Sequence, residues 1–207
     1  IKKNIFNNSS KKFIFGEDYS CKKDNNKLIY QDNFGKLNLP LPNLLGDFQL
    51  PTVSTAVAIT RNLSQFKISE THIKKSIINI KSEARLQNIT HGKLREYVSK
   101  DNQIILDGAH NPLAFLAIKK YLKTLNKKKK VFLLLAMMST KQHKECIETL
   151  RENVHSIIAL DIPNQTNFIK KEKLSKIAES CGLKSKTENS IESALKNASK
   201  ENDNAII

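Results

Sequence analysis

The pattern of apolar runs and helical repeats predicts an α/β protein, with a Rossmann-like, mostly parallel sheet flanked by helices following a stretch of short strands. Three observations carry this. Ile104-Ile105-Leu106 is a short apolar run that breaks at once into Asp107-Gly108-Ala109-His110-Asn111-Pro112. Val131-Phe132-Leu133-Leu134-Leu135-Ala136 is a continuous apolar run, as expected of a central parallel strand covered on both faces. After residue 100 such runs alternate with segments of helical periodicity, the sequence signature of βαβ units.

Taken in order, residues 1–45 alternate short apolar pieces with polar turns. Phe13-Ile14-Phe15-Gly16, Lys27-Leu28-Ile29-Tyr30 and Gly35–Pro42 are the pieces, and Asp24-Asn25-Asn26 and Asp32-Asn33 are turn chemistry. Short strands in hairpins are expected here. A helix from about Pro51 to Leu63 follows, with Val53, Ala56, Val57, Ile59 and Leu63 as its apolar positions. Ile68-Ser69-Glu70 starts a second helix to about Asn79, carrying Ile73, Ile77 and Ile78 on one face. Lys81-Ser82-Glu83 reads as a polar hinge that separates residues 1–82 from residues 83–207. Leu86, Ile89, Leu94, Tyr97 and Val98 then suggest a hairpin around His91-Gly92. Pro112 suits the first turn of a helix, where a missing N–H costs nothing, and Leu113, Phe115, Leu116, Ile118, Tyr121, Leu122 and Leu125 continue it. Beyond the central run, a helix is expected over 142–152, a strand over 156–160, helices over 170–181 and 190–200, and a strand beginning at Ala205-Ile206-Ile207.

The 207 residues carry a net charge of +15, but the arginines are only Arg61, Arg85, Arg95 and Arg151. Readers of nucleic acid favour Arg for bidentate contacts. The lysines are instead spread along the whole chain, together with many Asn and Ile, which is a compositional bias. The Lys127–Lys130 run between a helix and a strand reads as a solvated loop. Cys21, Cys146 and Cys181 are far apart and form no Cys-x-x-Cys pair, as expected of free thiols in a reducing compartment such as the cytoplasm. No apolar run approaches the roughly 20 residues of a membrane span, and no signal peptide is visible. The chain starts at Ile1 and stops inside an apparent strand, which reads as a piece of a longer protein.

The chemistry centres on the turn after Leu106. In open α/β sheets ligands bind beyond the carboxyl ends of strands. Asp107 there can accept hydrogen bonds from ribose hydroxyls, or cap the following helix, although Asn111 is better placed to cap. His110 can donate to a phosphate or carboxylate, or be a buried hydrogen-bonded histidine. No second His or Cys lies at metal-ligand spacing. Gly108 and Ala109 are small enough for a ligand or a backbone to approach closely. Arg85 can bridge phosphates with its planar fork, or be a solvated hinge charge. Lys141, after the central run, can reach a phosphate or be a surface lysine. Neither Gly-x-x-x-x-Gly-Lys-[Ser/Thr] nor Gly-x-Gly-x-x-Gly occurs in the chain.

Leu106-Asp107-Gly108-Ala109-His110-Asn111-Pro112 resembles the C-terminal-domain signature of the folylpolyglutamate synthase/dihydrofolate synthase family, a branch of the Mur ligases. Three weaker stretches support the resemblance. Gly46 and Gln49 match that family's Gly-x-His-Gln-x-x-Asn-Ala segment, with Phe48 in place of the His and Thr52 in place of the Asn that contacts the adenine side of the nucleotide. Arg85 and Gln87 match its Gly-Arg-x-Gln, with Ala84 in place of the Gly. Met137 and Lys141 match its Gly-Met-x-x-x-Lys-Asp segment. The resemblance covers about residues 35–207.

It implies that residues 1–82 end a central ATP-binding domain, and that residues 83–207 are a Mur ligase C-terminal domain cut before its own end. It also implies an ATP-dependent ligase that joins a (dihydro)pteroate or folate carboxylate to L-glutamate through an acyl phosphate. Such an enzyme uses ATP and Mg²⁺, acts on dihydropteroate or tetrahydrofolate, and is expected to be a cytoplasmic monomer that binds neither nucleic acid nor membrane. His110 is the expected catalytic residue, lying by the ATP and glutamate sites, and Arg85, Asp107, His110, Lys141 and Thr52 are the expected nucleotide contacts. A Mur-type ligase acting on a peptidoglycan precursor is the neighbouring alternative. A basic nucleic-acid-binding module is the alternative of a different class, and its binding would fall steeply with salt.

Overall fold

The computed structural model describes residues 12–125 and 129–207. Residues 1–11, Asn126, Lys127 and Lys128 lie outside the described residues, and with them half of the Lys127–Lys130 run. The chain divides into two compact units, one ending at Ser82 and one running from Glu83 to Ile207.

In the N-terminal unit β1 (Tyr19–Asp24), β2 (Lys27–Asp32) and β3 (Gly35–Pro40) form an antiparallel meander. Asn25, at φ 51°, makes the first two-residue turn, as Asn does where a tight hairpin demands left-handed backbone. Inward-facing Leu28, Tyr30, Leu37 and Leu39 bury against Leu50, Val53 and Val57 of α1 (Gln49–Asn62) and Ile73 and Ile77 of α2 (Glu70–Ile78). A three-stranded sheet is stable only with such a cover. Ser69 and His72 cap α2 reciprocally, side chain to backbone, at 3.3 Å each. The hairpins form as expected, but the first strand is not where apolarity put it. Phe13 and Phe15 are exposed, while Tyr-Ser-Cys-Lys-Lys-Asp forms β1. Residues that pair with β2 along their whole length need only one or two inward apolar side chains.

The C-terminal unit is a mixed, mostly parallel sheet. β6 (Phe132–Leu135), β7 (Ser156–Ala159) and β8 (Lys184–Thr187) pair in parallel. Residues 205–207 lie between β6 and β5 (Ile104–Leu106). The Gln103 and Ile105 amides donate to the Ala205 and Ile207 carbonyls, and the Ile206 amide donates to Lys130. Gln103 and Val131 each bridge Ile206 in parallel. The edge strand β4 (Gln87–Ile89) pairs antiparallel with β5. That corrects the expected hairpin around His91-Gly92: Lys93–Tyr97 is a 3₁₀ turn, and β4 finds its partner in β5. An antiparallel edge on a parallel sheet is common in such folds.

Helices α3 (Pro112–Leu122), α4 (His143–Leu150), α5 (Lys171–Ser180) and α6 (Ile191–Glu201) cover the two faces. One core gathers Phe115, Leu135, Ile147, Leu150, Ile157 and Leu174; the other gathers Ile104, Phe132, Ile158, Leu195 and Ile207. Cys146 and Cys181 are buried as free thiols, and burial pushes the Cys146 thiol up. No helix among the described residues is long and apolar enough to cross a membrane.

Asn102, only 3% exposed, ties the central segment into place. Its Nδ2 donates to Ser199 Oγ at 2.8 Å and its Oδ1 accepts the Ala205 amide at 2.8 Å. Asn102→Ala leaves the buried Ala205 amide without its acceptor, at a cost of about 1–3 kcal/mol, while Ser199 Oγ keeps the Ser99 amide. Chemical denaturation should show the C-terminal unit destabilised by about 1–3 kcal/mol. A loss under about 0.5 kcal/mol would mean that water replaces the amide.

Candidate active site at the carboxyl edge of the sheet

β5 ends at Leu106, and the chain turns sharply through Asp107-Gly108-Ala109-His110 into α3. Asn111 is the N-cap, its Oδ1 accepting the Ala114 amide at 2.9 Å, and Pro112 takes the first turn. Asp107 is therefore free of the capping role and turns back toward the chain that precedes β4. Its Oδ2 accepts the Leu86 amide at 2.8 Å and its Oδ1 accepts the Ala109 amide at 2.8 Å.

The segment carrying Arg85 is bent hard to meet it. Ala84 and Leu86 both adopt left-handed backbone, at φ 49° and 47°. Such a conformation costs a residue with a Cβ about 1–2 kcal/mol. Four contacts hold it. Besides the Asp107 bond, the Ala84 amide donates to Gln87 Oε1 at 3.0 Å, the Gly108 amide donates to the Ala84 carbonyl at 2.9 Å, and Leu86 plugs into the core at 2% exposure. The family's glycine at the position of Ala84 thus has a backbone reason.

Gly108 is where three of the expected site residues meet. The exposed Arg85 guanidinium folds over it, with Nη1 donating to the Ala84 carbonyl at 3.0 Å. A Cβ on Gly108 would lie 3.1 Å from Arg85 Nη1 and 3.5 Å from that carbonyl, so the close approach expected here is made by the protein's own strap. His110 is exposed, which corrects the buried alternative. Its Nδ1 lies 2.9 Å from the Gly108 carbonyl, and since a carbonyl only accepts, Nδ1 carries the proton. That leaves Nε2 facing outward, an acceptor in the neutral ring and a donor in the cation.

Lys141 follows β6, and since β5, residues 205–207 and β6 run in parallel, it stands beyond the same edge of the sheet. Its loop is fixed from the side. Ser139 N donates to Asn167 O at 2.9 Å, Ile169 N to Met137 O at 3.0 Å, and His143 Nε2 lies 2.9 Å from Met138 O. Lys141 is half-buried, and its ammonium makes no hydrogen bond or ion pair among the described residues. Thr52 is exposed in the first turn of α1, in the N-terminal unit, and takes no part in the hydrogen bonds around Gly108. Sequence reasoning missed Gln87, Asn167 and His143 as supports. Only the Gln87 match could have signalled one of them: Asn167 acts through its backbone carbonyl, and the His143 imidazole meets a backbone carbonyl that any residue could supply.

An arginine fork, a carboxylate and an imidazole around one glycine, beyond the carboxyl ends of parallel strands, define an α/β protein of the class that binds its ligands at that edge. The Mur ligase glutamate ligase domain model matches residues 95–207, more than half of the chain, and the chain belongs to that family. A dihydrofolate synthase/folylpolyglutamate synthase of Buchnera aphidicola is 31% identical over 124 residues, which are 59% of this chain and 28% of that protein. E. coli FolC in complex with DHPP and ADP superposes with a TM-score of 0.75 at 22% identity, over 93% of this chain and 42% of that one. The bifunctional folylpolyglutamate synthase/dihydrofolate synthase of Yersinia pestis with AMPPNP and Mn gives 0.76 at 19% identity, over 94% and 42%. The chain thus spans less than half the length of these relatives.

Proposed function

We propose that this chain supplies the glutamate-ligase part of a dihydrofolate synthase/folylpolyglutamate synthase, a cytoplasmic ATP-dependent ligase that works as a monomer. The observation that carries this is the meeting of Arg85, Asp107 and His110 around Gly108. It is supported by the 31% identity to the Buchnera relative, and by fold neighbours whose ligands are ADP with DHPP and, in another case, Mn, AMPPNP and L-glutamate.

In the reaction, a carboxylate oxygen of the pteroate or folate attacks the γ-phosphorus of ATP and ADP leaves. The glutamate amine then attacks the acyl carbon, the C–O bond to phosphate breaks, and the amine gives up a proton. Positioning and neutralisation of developing charge supply most of the rate in such chemistry. Arg85 offers a planar fork to phosphate oxygens, and Lys141 adds a point charge from its fixed loop. His110 Nε2 stands ready to accept or donate at phosphate or incoming amine. Asp107 keeps lone pairs for ribose hydroxyls beyond its two backbone bonds. Mg²⁺ would supply charge neutralisation at the phosphates when bound. Among the described residues no three His, Cys, Asp or Glu side chains come together as ligands, so they do not fit a metal centre built by side chains alone.

The test joins this chain to an ATPase domain bearing a phosphate-cradling loop. ADP release should require L-glutamate together with dihydropteroate or tetrahydrofolate. A folded joined enzyme that turns over with neither acceptor overturns the assignment. The 207-residue chain alone, which contains no such loop, should show no ATP- and glutamate-dependent turnover above background.

A further inference from the structure

Asp107 carries more than a place for ribose. Both of its oxygens are already engaged by backbone amides, one across twenty-one residues of sequence to Leu86 and one within its own turn to Ala109. The long-range bond closes on a strap, residues 84–86, in which two residues with side chains hold left-handed backbone. A carboxylate accepting a backbone N–H makes a charge-assisted bond, stronger than a neutral one. Among the described residues Asp107 reaches the strap from outside it, whereas the Arg85 guanidinium bonds the strap's own Ala84 carbonyl.

The connection from strap to site is short. The Ala84 carbonyl accepts both the Gly108 amide and Arg85 Nη1, and the Gly108 carbonyl accepts His110 Nδ1. The two peptide groups therefore fix the guanidinium and the imidazole relative to each other. Releasing Leu86 from Asp107 lets Ala84 and Leu86 relax toward ordinary backbone, which carries the Ala84 carbonyl away from Gly108 and takes the Arg85 anchor with it.

We propose that Asp107 is a positioning residue: its carboxylate latches the strained strap 84–86 onto Gly108 and thereby presents Arg85, beside His110, to the reacting phosphates. The part of this that concerns phosphates rests on the ligase assignment; the latch itself does not. A ribose hydroxyl donating to the same carboxylate would bind a group already coupled to Arg85, so nucleotide occupancy and arginine placement are linked through one side chain.

The latch is measured in the 207-residue chain without nucleotide, by amide exchange at Leu86 and Gly108 and by the rate of tryptic cleavage after Arg85. Exchange at Ile157 and Leu195 in the cores reports whether the unit stays folded. Asp107→Ala should speed Leu86 exchange and cleavage by about tenfold or more, the loss expected for a bond to a charged group. Ala84→Gly, which accepts φ 49° without a Cβ clash, should oppose this by about fivefold in either background. Unchanged Leu86 exchange in folded Asp107→Ala overturns the latch. If Asp107→Ala unfolds the unit, Ala84→Gly alone decides: slower Leu86 exchange supports a strained strap, and equal or faster exchange refutes it.

The joined enzyme then tests presentation. Asp107→Asn should lower kcat, Ala84→Gly should recover part of that loss, and in an Arg85→Ala background Asp107→Asn should add little. Fully additive losses with no recovery would make Asp107 a ribose ligand only. If Arg85→Ala leaves kinetics unchanged while the exchange results stand, the ligase assignment fails and the latch survives.

Discussion

Arg85→Ala should lower both kcat and kcat/KM of the joined enzyme by about a hundredfold, the scale on which removing one preorganised donor from a transition state acts. The guanidinium is exposed and its hydrogen bond goes to its neighbour's carbonyl, so the fold has little to lose. Phosphate charge shifts during transfer, and a group that interacts more strongly with the shifting charge than with bound ATP affects kcat as well as binding. Arg85→Lys should recover only part of the activity, because an ammonium offers a point charge where the fork offers two parallel donors. Steady-state kinetics with ATP varied at saturating glutamate separates the cases. A rise in KM with kcat intact would make Arg85 a ground-state contact, and wild-type kinetics in a folded variant would remove it from the site.

Phe115→Ala should destabilise the C-terminal unit by about 3–5 kcal/mol, the usual cost of deleting a fully buried aromatic side chain. Phe115 is 1% exposed and sits in the core with Leu135, Ile147, Leu150 and Ile157. It lies in the first turns of α3, directly after the Asn111 cap, so its loss also loosens the helix that ends the Asp107–His110 turn. Urea denaturation should show a lower midpoint with an unchanged slope. By contrast, Leu113 is 78% exposed in the same helix, and Leu113→Ala should change stability by less than about 0.5 kcal/mol. Equal losses in the two variants would mean that α3 does not dock through the face assigned to it.

The two periodicities explain how much of this protein is legible from residue order. Period 3.6 announced the helices, most of them within a residue or two of their ends and α3 three residues too long, since each must keep one apolar stripe against a core. The Val131–Ala136 run announced β6, since a strand covered on both faces has no polar alternation. The turn at Asp107–Pro112 was legible as a candidate site because its residue types, an acid, two small residues, a histidine and a helix-starting Asn-Pro, serve neither strand nor core. Other features left no such trace. β8 reads Lys-Ser-Lys-Thr with an exposed pattern, because an edge strand is held by its ladder and needs no apolar face. β4 chose β5 over the nearer residues 94–98, because pairing is decided by which backbone is available at the sheet edge.

Residue types left Arg85, Asp107, His110 and Lys141 open between a ligand role and a structural one, and the family resemblance made them candidates. Whether they meet is a property of the fold. The left-handed turns at Ala84 and Leu86, the two amides on Asp107 and the proton on His110 Nδ1 all arise from backbone groups brought together across the Leu86–Asp107 gap. Backbone amides and carbonyls are the same in every sequence, so only the tertiary structure decides which of them a side chain finds.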